Sequence, residues 1–377
     1  MVVGGYGESL RKFRGNLLKA LIGRNYAVTA CAPEASVLTK NFLKSISVEY
    51  HNIPLERTSL NPFQDFCTFI ALARLFIKKS PNVILAYTAK AIIYSGLALQ
   101  LKKIAAQTTY KPNFIALVTG LGSIFIGQKE KSIKNKILHG LVKTLYRCAL
   151  RDVRCVVFQN PEDQKYFQDC GIVKASQKTV NVAGSGVDLE IFKPHAIYPK
   201  PVFLMIARLL GDKGVREYVR AARFVRQNHP EAIFQLVGGI DKNPTSISAN
   251  ELKEWINEQI IEYLGEVEDV RAALAKCRFY VLPSYREGLP RSVLEAMAMG
   301  RPILTTDVPG CRETVRHGKN GILVPPRDWQ ALASAMVRLL NQTEAVTLKM
   351  AEQSLILAKE KFDVRLVNAE LIKIVES

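Results

Sequence analysis

Two carboxylates eight positions apart, Glu287 and Glu295, lie in the segment SYREGLPRSVLEAMAMGRPI. Glu287 precedes Gly288 in a predicted turn, whereas Glu295 falls on a helix that Pro290 opens and that Gly300 and Pro302 close. One acid is therefore loop-borne and the other rigidly held. Such a pair suits two chemistries: acid and base attack on a glycosidic bond, or hydrogen bonding to the hydroxyls of a sugar. Two cations bear on the choice. Arg208 ends a predicted strand and Lys213 follows in ARLLGDKGV, where Gly211 and Gly214 allow a tight turn before a helix. Fixed cations stabilise a leaving group that gains negative charge as its bond breaks, as a departing diphosphate does. A hydrolase reading of the carboxylates gives these cations nothing to do. The plainer alternatives are two solvated cations and an i,i+4 ion pair between Arg291 and Glu295, and the second leaves Glu287 unexplained.

Near the start, Gly4, Gly5 and Gly7 permit close backbone approach, but GGYGES does not fit Gly-x-Gly-x-x-Gly, and no Walker lysine is present. Arg14 is expected on the first turns of the following helix, within reach of an anionic acceptor or on a solvated face. The sequence contains no Asp-x-Asp, a common carboxylate arrangement for holding a divalent cation with a nucleotide. The five histidines and seven cysteines are scattered without metal-ligand spacing. The cysteines read mostly as small buried hydrophobes, and neither a metal nor another cofactor is expected.

The elements that must position these residues follow from the pattern. At 377 residues the chain exceeds one usual core. MVVGG reads as a strand, shorter than usual as if an upstream part were missing, and it leads to a helix near Ser9 to Leu21. Apolar runs at YAVTACAP, 82–87 and CVVFQN alternate with helices at 63–79, up to Lys103, and at 133–149. A second alternating series begins at PVFLMIAR and continues through AIFQLVGG, IIEYLG, FYVLPS and PILTTD. Strands alternating with helices imply parallel sheets covered on both faces, with ligands at the carboxyl ends of the strands. The expected architecture is α/β: two tandem Rossmann-like, doubly wound domains facing a central cleft. The divisions are 1–195, 196–360 and a terminal helix at 361–377 that packs back on the first domain. No apolar run reaches the ~20 residues a membrane helix needs, and no secretory signal is recognisable, so a cytoplasmic location is expected.

The charge is uneven. Residues 1–195 hold 27 Lys/Arg against 12 Asp/Glu, a net of +15, and 52 − 27 = 25 against 34 − 12 = 22 leaves +3 for the remainder. Between 101 and 151 there are ten Lys/Arg and one acid, Glu130. A basic patch of this kind attracts polyanions, either nucleic acid or an anionic membrane face. In 133–149, Ile133, Ile137, Leu141, Leu145 and Ala149 form a stripe beside Lys134, Lys136, Lys143 and Arg147. The simpler reading packs that stripe on the sheet.

The Glu287 to Glu295 segment, with Arg208 and Lys213, resembles the paired-glutamate site of family 4 retaining glycosyltransferases of the GT-B type. FRGNLLKAL, VTGLGS and VNVAGSGVD extend the resemblance to the subgroup that elongates undecaprenyl-diphosphate-linked sugars. The resemblance implies that Arg208 and Lys213 hold the donor phosphates and assist catalysis. It implies that Glu287 orients the transferred sugar, that Gly288, Leu289 and Pro290 meet sugar and phosphate, and that Glu295 binds the ribose. Gly5 would face the donor and Arg14 the acceptor. The donor is then a nucleotide sugar, with UDP and an N-acetylhexosamine or hexose expected, used without a divalent metal. The acceptor is a polyprenyl-diphosphate saccharide, met at the anionic cytoplasmic face of the inner membrane. Relatives often carry a histidine where this chain has Thr119 and Gly120, so a histidine-assisted step is not expected. A nucleic-acid-binding protein, or a non-catalytic nucleotide-sugar binder, is the alternative. No groove-reading or base-stacking module supports the former, and no nucleic-acid partner is expected.

Overall fold

A computed structural model describes residues 1–57, 59, 61–106, 112–121, 133–241, 243 and 245–377, with backbone alone at 102–106 and 133–135. Lys131 and the side chain of Lys134 lie outside the described residues. The chain forms two compact units, one of Met1–Ser185 with Val367–Ser377 and one of Gly186–Leu366. The stretch leading to Lys200 goes with the second unit because backbone and side-chain hydrogen bonds hold it there. Val187 pairs with Asp363, and the buried Arg301 guanidinium donates to the carbonyls of His195 and Ala196.

The first unit is built on seven parallel strands: β1 (Val2–Val3), β2 (Thr29–Ala32), β3 (Glu49–Asn52), β4 (Val83–Tyr87), β5 (Asn113–Leu117), β6 (Cys155–Phe158) and β7 (Thr179–Asn181). Their order is β3-β2-β1-β4-β5-β6-β7. Val2 and Val3 align with Ala30 and Cys31 on one side and with Leu85 and Ala86 on the other. The sequence of neighbours reverses between β1 and β4, and ligands of open α/β sheets bind at such a reversal. The central strands VILAY, NFIAL and CVVF are apolar almost throughout and buried, as strands with helices on both faces must be.

The expected helix from Ser9 to Leu21 is in fact two, Ser9–Lys12 and Gly15–Ile22. The amides of Phe13 and Arg14 both reach the Ser9 carbonyl, and Arg14 leaves the helical region at φ −120°, ψ −3°. The break turns Arg14 inward, 3% exposed, with its guanidinium over the Tyr87 ring. It is therefore not on a solvated helix face. The 133–149 stripe is also corrected. Residues four apart drift by about 40° around a helix. Among the described side chains the row is accordingly exposed at Ile137 and Leu141 and reaches the core only at Leu145 and Ala149.

The second unit carries β8 (Val202–Ile206), β9 (Ile233–Val237), β10 (Glu262–Tyr263), β11 (Phe279–Leu282), β12 (Ile303–Thr306) and β13 (Gly321–Val324) in the order β10-β9-β8-β11-β12-β13, again parallel. Phe203 on β8 stacks on Phe234 of β9 and tilts against Phe279 of β11, with centroids 5.2 and 5.1 Å away. These rings bind the three central strands together; each fully buried ring contributes roughly 2 kcal/mol or more by leaving water. The helix Val215–Arg226 buries Tyr218, Val219, Ala222 and Val225. The Tyr218 hydroxyl donates to the Phe203 carbonyl at 3.0 Å, fixing the helix and the turn before it on the sheet. Here the order reverses between β8 and β11.

Candidate active site

The sequence-predicted donor residues gather at that reversal. Arg208 follows β8, Glu287 follows β11, and both lie beyond the carboxyl ends of adjacent strands. Lys213 sits in a single 3-10 turn, Gly211–Lys213, which ends at Gly214 with φ +75°. A β-carbon on Gly214 would stand 2.1 Å from the Pro283 carbonyl oxygen. Only glycine allows this turn to press against the end of β11. The close approach delivers the Lys213 ammonium to Glu287 Oε1 at 2.6 Å, with both side chains largely shielded at 16% and 14% exposure. A second glycine holds the other side. Gly310, at φ +79°, lies so close that a β-carbon would fall 2.5 Å from the carbonyl oxygens of Glu287 and Gly288. The Glu287 amide donates to the Pro309 carbonyl.

Ser284, fully buried, donates its hydroxyl to the same Glu287 oxygen at 2.8 Å. Sequence reasoning passed over it, although its position three residues before Glu287 at a strand end was a usable signal. Two donors thus fix the Glu287 carboxylate, and Lys213 supplies a cation beside it. Cys311 is buried nearby. Burial, and then the Glu287 charge, push its thiol up to about 12, so it stays protonated and inert.

Glu295 lies on the helix Arg291–Ala298, capped by Pro290 as expected and ended by Gly300 at φ +76°. Its Oε1 accepts from Arg291 Nε at 2.8 Å. The i,i+4 pair is thus present, and it orients the carboxylate on its helix. Leu289 is partly buried; Gly288 and Pro290 are buried. Arg208 is nearly half exposed and pairs with Asp241, a residue that no sequence signal had marked.

Gly5 and Arg14 belong to the first unit, at the β1–β4 reversal. The place of a Gly5 β-carbon is taken by Thr88 Oγ1, at 2.3 Å. Thr88 was also missed. It has φ +74°, an unusual backbone for a β-branched residue, and among the described residues its buried hydroxyl has no hydrogen-bond partner. Tyr87, beside it, shares a hydrogen bond with Ser9 at 2.7 Å, and burial pushes its hydroxyl up to about 12. Four of the seven cysteines are buried as expected, whereas Cys148 is exposed.

Residues 200–342 match the family model described as "Glycosyl transferases group 1". The chain is 30% identical over 362 residues to the N,N'-diacetylbacillosaminyl-diphospho-undecaprenol alpha-1,3-N-acetylgalactosaminyltransferase of Campylobacter jejuni, covering 92% of this chain and 90% of that one. It belongs to the group 1 glycosyltransferases. This glycosyltransferase is also 24% identical over 310 residues to the UDP-Gal:alpha-D-GlcNAc-diphosphoundecaprenol alpha-1,3-galactosyltransferase of Escherichia coli, with 78% and 76% of the chains covered. Among solved structures, it resembles sucrose-phosphate synthase from Thermosynechococcus elongatus (TM-score 0.78, 18% identity, 100% and 98% covered). It also resembles Anabaena HepE in complex with UDP (TM-score 0.74, 19% identity, 100% and 98% covered). The fold is that of the GT-B glycosyltransferases, and the enzyme is a hexosyltransferase. The nucleic-acid-binding alternative finds no support among these relatives.

Proposed function

We propose that the enzyme is a retaining transferase moving an N-acetylhexosamine or hexose from a UDP-sugar to a polyprenyl-diphosphate-linked saccharide, in the assembly of a bacterial surface glycan. The observation that carries this reading is the Ser284–Glu287–Lys213 arrangement at the β8–β11 reversal. It is supported by the names of relatives that act on diphospho-undecaprenol-linked sugars.

In this reading Lys213 and Arg208 receive the negative charge of the departing diphosphate, and no divalent metal is needed. Glu287, fixed by two donors, holds hydroxyls of the transferred sugar and faces the positive charge that develops on its ring. Glu295 takes the ribose hydroxyls, its helix-borne carboxylate oriented by Arg291. Gly288, Leu289 and Pro290 line the donor. With Glu287 in a positioning role, retention follows a front-face course in which the leaving phosphate helps to take the proton of the acceptor hydroxyl. Arg14, Gly5 and the β1–β4 reversal belong to acceptor and donor handling in the first unit.

The enzyme works in this reading as a peripheral protein on the cytoplasmic face of the inner membrane. No helix among the described residues is long and apolar enough to cross a bilayer. On the first unit, the helices Pro62–Lys79, Ala89–Ala106 and Ile133–Ala149 pack side by side and expose Phe63, Phe66, Ile137 and Leu141. Lys136 is exposed beside Ile137. Apolar tips among cations suit the interface of an anionic bilayer.

The test is a panel of nucleotide sugars against polyprenyl-diphosphate sugars, run with the wild type and with Glu287→Ala. Transfer with a UDP-sugar that disappears in the variant is expected; undiminished transfer by Glu287→Ala sinks the site assignment.

A further inference from the structure

We propose that Asp241 is a positioning residue for donor binding, holding the Arg208 guanidinium where it can meet a nucleotide diphosphate. The inference rests on the reading of Arg208 as a phosphate-binding residue. The two cations of the site are secured differently. Lys213 is shielded, and the fold presses it onto Glu287. Arg208 is 46% exposed, and such a side chain samples many rotamers unless something holds it.

Asp241 is that support. Its side chain is 15% exposed, and its Oδ2 accepts from Arg208 Nη1 at 2.5 Å. Asp241 is itself fixed without help from Arg208. Its Oδ1 accepts from the Asn243 amide at 3.0 Å, and its own amide donates to Ser246 Oγ at 3.1 Å. Ser246 Oγ donates in turn to the Leu209 carbonyl. The surrounding backbone is stitched on both flanks of Arg208. Leu209 donates to Gly239, Ile247 to Leu209, and Gly211 to Thr245. The described residues of the loop after β9 are therefore tied by hydrogen bonds to the segment after β8, with the carboxylate on one side and the arginine on the other. A guanidinium carries five N–H donors in a planar fork. A bond from Nη1 to Asp241 leaves donors for a phosphate oxygen while restricting the fork's orientation. The carboxylate also repels the phosphate, so the proposal commits to orientation outweighing repulsion.

The experiment titrates UDP and uridine by calorimetry into the wild type, Asp241→Ala, Asp241→Asn and Arg208→Ala, with donor and acceptor kinetics for each. Asp241→Ala is expected to weaken UDP about tenfold, roughly 1.4 kcal/mol, and to leave uridine binding and acceptor KM unchanged. Asp241→Asn keeps one acceptor oxygen, which serves either Arg208 or the Asn243 amide but not both, and is expected to recover only part of the loss. UDP binding by Asp241→Ala as tight as the wild type or tighter overturns the proposal, because the pair then competes with the phosphate. Parallel loss of uridine and UDP affinity also overturns it, because it marks a collapsed loop rather than an effect confined to Arg208. Unchanged UDP binding by Arg208→Ala removes the underlying reading of Arg208, an outcome distinct from the other two.

Discussion

Lys213 Nζ and Glu287 Oε1 stand 2.6 Å apart although 74 positions separate them in the chain. Ser284 completes the arrangement by bonding the same oxygen. Removing the carboxylate leaves a shielded ammonium without its counter-charge, and losing a preorganised charge at such a site typically costs about 10²- to 10³-fold in rate. Glu287→Ala is expected to lower turnover by about that factor. Glu287→Gln keeps the Ser284 bond but loses the ion pair, and should fall between the two. Steady-state transfer rates check this order.

The Gly214 turn sets the Lys213 position. With φ +75° and the Pro283 carbonyl 2.1 Å from the place of a β-carbon, alanine strains the backbone and collides with it. Gly214→Ala is expected to lose at least about 2 kcal/mol of stability, read by urea denaturation, together with nucleotide binding. Stability equal to the wild type contradicts the described packing.

Thr88 holds a costly conformation with a buried hydroxyl. Thr88→Gly removes both burdens at the β1–β4 reversal and is expected to stabilise the protein by about 1 kcal/mol. Thermal unfolding gives the sign. A lowered melting temperature would show that the threonine is comfortable where it stands.

Glu251 supplies the pH-dependent case. It accepts from both Arg216 Nε and Nη2, at 2.7 and 3.1 Å, and closes the capping box of the helix Ala249–Asn257 with Ser248. Chiefly through the Arg216 hydrogen bonds, its carboxyl falls from 4.5 to about 2. A depressed carboxyl stabilises fully above the unfolded value and loses that effect as pH falls through the folded one. Glu251→Gln should therefore melt below the wild type at neutral pH, with the gap closing between about pH 4.5 and 2. A constant gap across that range rules out the ionic contribution.

For the membrane reading, replacing Lys131, Lys134 and Lys136 with glutamine is expected to weaken binding to anionic vesicles by about 1 kcal/mol per charge. Phe63→Ser with Phe66→Ser should weaken it further, even at high salt, where charge is screened. Sedimentation with vesicles measures both, and unchanged binding in both variants defeats the proposed surface.

The sequence determined the period of the architecture and marked the candidate donor residues. Apolar runs at Val202–Ile206 and Phe279–Leu282 have the length and flanks of buried strands, and Pro290 and Gly300 mark a helix by local backbone chemistry. Those are short-range constraints, legible without neighbours. The elements in 201–306 follow these signals except for the helix Ala249–Asn257, and beyond that range the strand Gly321–Val324 carries no comparable signal. Tertiary structure alone decided the partners. The inward turn of Arg14 onto Tyr87 breaks a helix that periodicity would have continued, because burying that side chain depends on β4, distant in sequence. The Arg208–Asp241 pair depends on how the loop after β9 is tied to the segment after β8. The contact between Lys213 and Glu287 depends on a glycine that lets one turn meet another strand's end. Such contacts join elements that only sheet order makes adjacent, and spacing along the chain carries no record of them.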